Sequence, residues 1–275
     1  MSINQNLVGL SWRDLYCQRL KEDGLDPELI LTQALCRRDS QGNPQEHPQD
    51  SLSSLFSLAQ CLKNPDLLIQ QVRNDYSAAA TAQLQRAYLS VIHQDLALSV
   101  IAPLTLQLFR DGKVRLPSPN QIFLAPLERE GQTTSRWFSV VGQTEVDEQG
   151  FMAHMSEITT NWYPFFRRTL GVSPGSYWSS TGLGLGAPFS AVWNLAQPEA
   201  TCHLAQSWLK AFENEANRFV DWIPFPFNDQ NSALPQRRGC CLQYLLPNTG
   251  YCGTCGVYRK ERMKFIKPHP PRITT

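Results

Sequence analysis

Four of the chain's eight cysteines, Cys240, Cys241, Cys252 and Cys255, fall in one stretch, "RRGCCLQYLLPNTGYCGTCG", spaced C-C-x10-C-x2-C. Thiolates are strong soft-metal ligands, and four of them complete either a zinc shell or the ligand set of an iron–sulfur cluster. Gly253 and Gly256 make the second pair a "CGTCG" knuckle, in which a tight turn points both sulfurs inward and aims backbone N–H groups at them. That half suits either metal. The first pair is more selective, because structural zinc sites usually present two separated pairs and here Cys240 and Cys241 are adjacent. Neighbouring side chains of an extended chain point to opposite faces, so both reach one site only where the backbone turns, and Gly239 is the candidate for that turn. A binuclear cluster spreads its ligands over two irons and tolerates the adjacent pair better; a vicinal disulfide is the strained alternative. Spacing by itself leaves zinc and iron–sulfur open.

Charge is unevenly divided. From residue 235 onward there are eight Lys and Arg against one acid, Glu261, so that segment carries +7 and the remainder −6, within a net charge of +1. The cysteine segment is therefore a basic attachment on an acidic body, suited to neutralising an anion or docking an anionic partner. Arg237, Arg238, Arg259 and Lys260 flank the thiols and are the candidates for tuning a metal centre or docking a partner. The terminal "KPHPPRITT" reads as a solvated tail.

With these residues the chain resembles the FhuF family of ferric-siderophore reductases. C-C-x10-C-x2-C near the carboxyl terminus, preceded by basic residues and enclosing "LLPNTGYCGTC", is similar to the family's motif at all four cysteines. The resemblance implies a [2Fe-2S] cluster on Cys240, Cys241, Cys252 and Cys255 and one-electron reduction of Fe(III) in a ferric siderophore of hydroxamate type. It also implies Fe(II) release in the cytoplasm, with the cytoplasmic face of the inner membrane as a peripheral seat. Electrons would come from a separate reductase, ferredoxin or small reductant. Two other readings stand beside it, a zinc-stabilised siderophore-handling or interaction module and an iron–sulfur electron carrier with a protein partner. For a bulky chelate, Trp178, Trp193 and Trp222 are the candidate groove residues, although aromatics at helical spacing are more often core.

The elements that must position these residues read as α+β, predominantly helical. A body over 1–235 is expected to be helical to 112, to form a small antiparallel sheet over about 113–145, to return to helices over 146–219, and to end in a Pro- and Asn-rich linker over 220–236; the cluster segment is 237–275. Helices are expected over "SWRDLYCQRLKEDG", "PELILTQALCRRD", "SLSSLFSLAQCLKN" and "PDLLIQQVRND", with Asp50-Ser51 a cap and Pro65 in a first turn. A longer helix should end near Gly112, with Pro103 a kink, and Pro164 should disturb a second one. Between Trp178 and Trp193 a helix with a tightly packed glycine face is expected.

Other chemistries find little purchase. Gly182, Gly184 and Ala187 satisfy the permissive nucleotide pattern G-x-G-x-x-[GA], but no apolar strand precedes them and Pro188 follows. His47, His93, His154, His203 and His269 are dispersed without metal-ligand spacing, and Cys17, Cys36, Cys61 and Cys202 read as ordinary thiols. No P-loop, no G-x-S-x-G and no basic-aromatic pattern for nucleic acid is present. Neither a secretory signal nor a bilayer-spanning apolar run is read, so a soluble, cytoplasmic protein is expected.

Overall fold

The computed structural model describes residues 9–39, 55–76, 81–129, 132–227, 230–247 and 249–263. Asp50-Ser51, the loop around them, His47, His269 and the terminal tail lie outside the described residues. Helix α1 (Trp12–Glu22) begins where the Ser11 hydroxyl accepts the Asp14 N–H at 3.0 Å, and α2 (Pro27–Asp39) begins on a proline, whose missing N–H is no loss in a first turn. Strand β1 (Phe56–Ser57) then leads into α3 (Leu58–Lys63), where Ser57 and Gln60 form a reciprocal capping box. A helix was expected across Phe56 and Ser57; their backbone instead pairs with a later strand, a long-range contact that local spacing does not reveal. Pro65 opens α4 (Pro65–Asp75), as expected.

The long helix is interrupted at a definable point. Helix α5 (Ala82–Leu96) widens into a π turn over Ala97–Ile101 and resumes as α6 (Ala102–Asp111). Pro103 has no N–H to give the ladder, so the hydrogen bonds widen just before it. Gly112, at φ 77°, ends the helix in the left-handed conformation that glycine adopts without penalty. Ala82–Asp111 is long and apolar enough to cross a membrane, but 67% of its most apolar window is buried inside the protein, as in a core helix.

The central sheet divides in two. Strands β3 (Ile122–Arg129) and β4 (Gln132–Ser139) pair antiparallel from Ile122↔Ser139 to Arg129↔Gln132, with β1 on the far edge of β3; β2 (Val114–Leu116) pairs with β5 (Thr144–Val146). Helix α7 (Glu148–Pro164) passes at its proline into a π turn, Phe165–Thr169. Then follow α8 (Pro174–Leu185), α9 (Ala187–Ala191), α10 (Pro198–Lys210) and α11 (Ala216–Phe219).

Helix α8 is the axis of the core, buried at every residue from Ser176 to Leu185. Its glycines permit this. A Cβ on Gly182 would meet Val220 at 2.8 Å, and one on Gly184 would meet the Ala97 carbonyl of the π turn at 2.6 Å. The nucleotide-like pattern is thus a helix-packing pattern. Around α8, Trp208 of α10 packs edge-on against Phe109 and Phe212 and donates its indole N–H to the Leu185 carbonyl at 2.7 Å.

The segment 220–236, expected as a linker, is a hairpin: β6 (Val220–Phe227) pairs with β7 (Gln230–Arg237) from Val220↔Arg237 to Phe227↔Gln230. Prolines 224, 226 and 235 made it look irregular, but a two-stranded ladder has outer edges on both strands, where a missing N–H does no harm. Because β7 ends on Arg237, the cysteine segment leaves the body directly from a strand. A short helix, α12 (Arg259–Met263), closes the described chain.

Candidate metal centre

Three backbones meet where the cysteine segment begins. Gly239, just past β7, lies against Gly175 in the first turn of α8, and a Cβ on Gly256 would stand 2.5 Å from the Gly239 carbonyl oxygen. Only residues without side chains allow that approach. Gly239 is therefore needed for closeness, and the chain also bends at Arg238 and Gly239, just before the adjacent cysteines. A further turn follows the pair at Leu242, whose φ of 66° is the one positive value at a non-glycine among the described residues. A left-handed leucine costs about 1–2 kcal/mol, and here its N–H is aimed at the Cys240 sulfur at 3.4 Å.

The second pair forms the expected knuckle, with the Cys255 N–H bonded to the Cys252 carbonyl at 3.0 Å. The knuckle is stitched to the end of β7. The Arg237 N–H reaches the Thr254 carbonyl at 3.1 Å, and the buried Gln236 amide reaches the Cys255 carbonyl at 3.0 Å.

All four thiols are free. The Cys241 and Cys252 sulfurs stand 3.8 Å apart, too far for a disulfide and close to the roughly 3.8 Å edge of a tetrahedron with thiolate bonds of about 2.3 Å. Cys241 and Cys255 are buried, while Cys240 and Cys252 are half-buried and form the outer side of the group. Sharing with Cys241 draws the Cys240 thiol below its usual range; the same neighbour, then burial, pushes Cys252 up, against the opposing charge of Arg237. Cys61 and Cys202 are different, pushed up to about 11 and about 12 chiefly by burial, as inert core thiols are. Among the described residues no three His, Cys, Asp or Glu side chains form a ready-made single-ion site.

The flanking cations divide into three roles. Arg238 grips Asp221 of β6 with both carboxylate oxygens, at 2.5 and 2.9 Å, and Arg259 reaches the same carboxylate at 3.0 Å. Burial opposes the charge on Asp221, but the hydrogen bonds from both arginines outweigh it and hold the carboxyl below its usual range. Asp221 thus ties both ends of the cysteine segment to the hairpin. Lys260 is exposed. Arg237 is fully buried, its side chain running back along α8.

The three tryptophans do not line an open groove. Trp178 is buried against Tyr163 and Tyr177, and Trp222 against Gly186 and Phe189. Trp193 is half-buried, and its carbonyl accepts the Ala233 N–H at 2.7 Å. Among the described residues the exposed aromatics lie inside the cysteine segment itself. Tyr244 and Tyr251, 37% and 48% exposed, stack at 4.9 Å, and Tyr258 meets Tyr251 edge-on at 5.0 Å. The tyrosines were visible in the sequence, but nothing in their spacing marked them as a surface group.

Residues 237–255, from Arg237 to Cys255, match the family model of the FhuF 2Fe-2S C-terminal domain. Over these residues the chain is similar to the 2Fe-2S domain of the FhuF family. The domain and its four clustered cysteines fit a [2Fe-2S] cluster, which resolves the choice that spacing left between zinc and iron–sulfur. No curated protein matches the chain.

Proposed function

We propose that the protein reduces Fe(III) in a ferric siderophore of hydroxamate type by one electron and releases Fe(II) on the cytoplasmic side. The observation that carries this reading is the FhuF 2Fe-2S match on four cysteines of which two, Cys240 and Cys252, reach the surface beside an exposed tyrosine group. One-electron transfer is the chemistry a [2Fe-2S] cluster supplies when bound. Hard oxygen ligands hold Fe(III) far more tightly than Fe(II), so reduction is release.

The protein's own residues do the seating. Tyr244 and Tyr251 offer a flat aromatic face to a chelate near the half-buried sulfurs, replacing the buried Trp178 and Trp222 in that role. The Asp221 clamp fixes the segment that carries this face. Electrons come from a separate donor, a reductase, a ferredoxin or a small reductant, for which Lys260 supplies an exposed charge.

Anaerobically purified protein tests this directly. It should be brown, contain iron and sulfide in equal amounts, give an EPR signal on reduction, and be reoxidised by a ferric hydroxamate with Fe(II) trapped in step. Colourless protein with one zinc would overturn the reading. Reoxidation by protein acceptors alone would make the molecule an electron carrier. Cys252→Ser should abolish both the colour and the ferric reductase activity.

A further inference from the structure

Arg237 has no exposed surface, and it is one of the largest fully buried side chains in the protein. Its guanidinium is held at every corner by neutral groups. Nε donates to the Ser179 hydroxyl at 2.9 Å, Nη1 to the Gln94 side-chain oxygen at 2.6 Å, and Nη2 to the Ser180 hydroxyl and the Ser176 carbonyl. Among the described residues no carboxylate pairs with it. The acids on neighbouring elements are engaged elsewhere: Asp95 faces Arg136 and the Trp137 N–H, and Asp221 is shared by Arg238 and Arg259. His93, one residue before Gln94, is neutral and supplies no charge.

A buried, unpaired cation is penalised by several kcal/mol, and arginine cannot escape by losing its proton. Hydrogen bonds to serines answer its donors and leave its charge unanswered. The anion that can answer it is at the other end of the same residue. The Arg237 backbone N–H is bonded to the Thr254 carbonyl inside the C-x2-C knuckle, and the amide of its neighbour Gln236 to the Cys255 carbonyl. A [2Fe-2S] core on four thiolates carries a net negative charge that grows by one on reduction.

We propose that Arg237 is the buried counter-ion of the cluster, so that cluster occupancy and the seating of this arginine between α5 and α8 stabilise each other. This rests on the reading of the four cysteines as a [2Fe-2S] site. It gives Arg237 a role that Arg238 and Arg259, which share the Asp221 carboxylate, do not have. The apo protein carries an unanswered charge that the loaded protein lacks, and the reduced state gains more from the arginine than the oxidised state.

The test uses full-length wild type, R237Q, R237K and Q94E, each loaded and apo, with iron and sulfide content, redox titration by absorbance, and chemical denaturation. In R237Q the reduced-to-oxidised ratio at a fixed ambient potential should fall about ten-fold, equivalent to about 59 mV for one electron. R237K should fall less. Loaded R237Q should be less stable than loaded wild type, while apo R237Q should match or exceed apo wild type; a purely structural arginine would weaken both forms alike. Should R237Q fail to load, Q94E decides, because it sets a carboxylate against Nη1 and should stabilise the apo form while shifting the potential the same way. An unchanged potential in loaded R237Q or Q94E, or equal losses in apo and loaded R237Q, overturns the proposal. Wild type without iron and sulfide would overturn the cluster reading and the proposal with it.

Discussion

Gly175 and Gly239 pack backbone against backbone: a Cβ on Gly239 would stand 2.3 Å from the Gly175 carbonyl carbon. The first turn of α8 and the entry to the cysteine segment therefore occupy one space, and neither can move without the other. Gly239→Ala forces them apart, with an expected loss of about 1–3 kcal/mol from overpacking. Iron content per chain should fall with it, whereas Gly253→Ala, at a position open to solvent, should load normally. Equal loading in both variants would show that the contact does not seat the site.

Asp221 grips both Arg238 and Arg259, which stand 17 and 38 residues away along the chain. Asp221→Asn keeps the shape and removes the charge. Since Arg238 is 46% exposed, the expected loss of global stability is modest, about 1 kcal/mol. Local effects should be larger: limited proteolysis within 238–263 should speed up, and cluster loss to a chelator should become faster and dependent on salt. Unchanged proteolysis would mean that the clamp contributes nothing to holding the segment.

His93 is buried between Tyr177, at 4.2 Å between ring centres, and Phe166, at 4.6 Å. Burial first, and Arg237 second, push its pKa down to about 3 from 6.5. Between these values the unfolded chain binds a proton that the native protein does not, so the contribution of His93 is complete above pH 6.5 and is lost as pH falls. The slope from this residue is at most about 1.4 kcal/mol per pH unit. Denaturation of apo protein at pH 7.5, 6.5 and 5.5 should trace that decline, and His93→Leu should flatten it; a slope that survives the substitution would place the titration elsewhere.

Tyr251 is half exposed, so Tyr251→Ala should change stability by no more than about 0.5 kcal/mol. Loss of an aromatic face of this kind is worth about 1 kcal/mol of contact, a several-fold rise in KM for the ferric chelate with kcat held. If kcat falls while KM holds, Tyr251 belongs to the path of the electron and not to the seat.

Much of the fold was legible because its causes are local. Pro103 and Pro164 announce breaks in their helices through the N–H they lack, and Gly112 announces a helix end. Phe56–Ser57 and the hairpin over 220–237 were misread because their strand identity depends on partners remote in sequence or on prolines whose edge position is invisible without the pairing. The site divides in the same way. The four thiols and their knuckle were readable, but the left-handed Leu242 that follows the adjacent pair was not.

By itself the sequence determined that four thiols at C-C-x10-C-x2-C would share one basic, C-terminal site, because ligand type and spacing are properties of a short chain segment. Only the tertiary structure decided what the surrounding residues do. Four cations that look equivalent in sequence become one buried guanidinium, two arms tied to Asp221 and one exposed lysine; three tryptophans become core and half-core while tyrosines hold the surface. Burial and charge pairing are set by contacts such as Arg237 with Gln94, 143 residues apart, and no local pattern encodes an interaction over that separation.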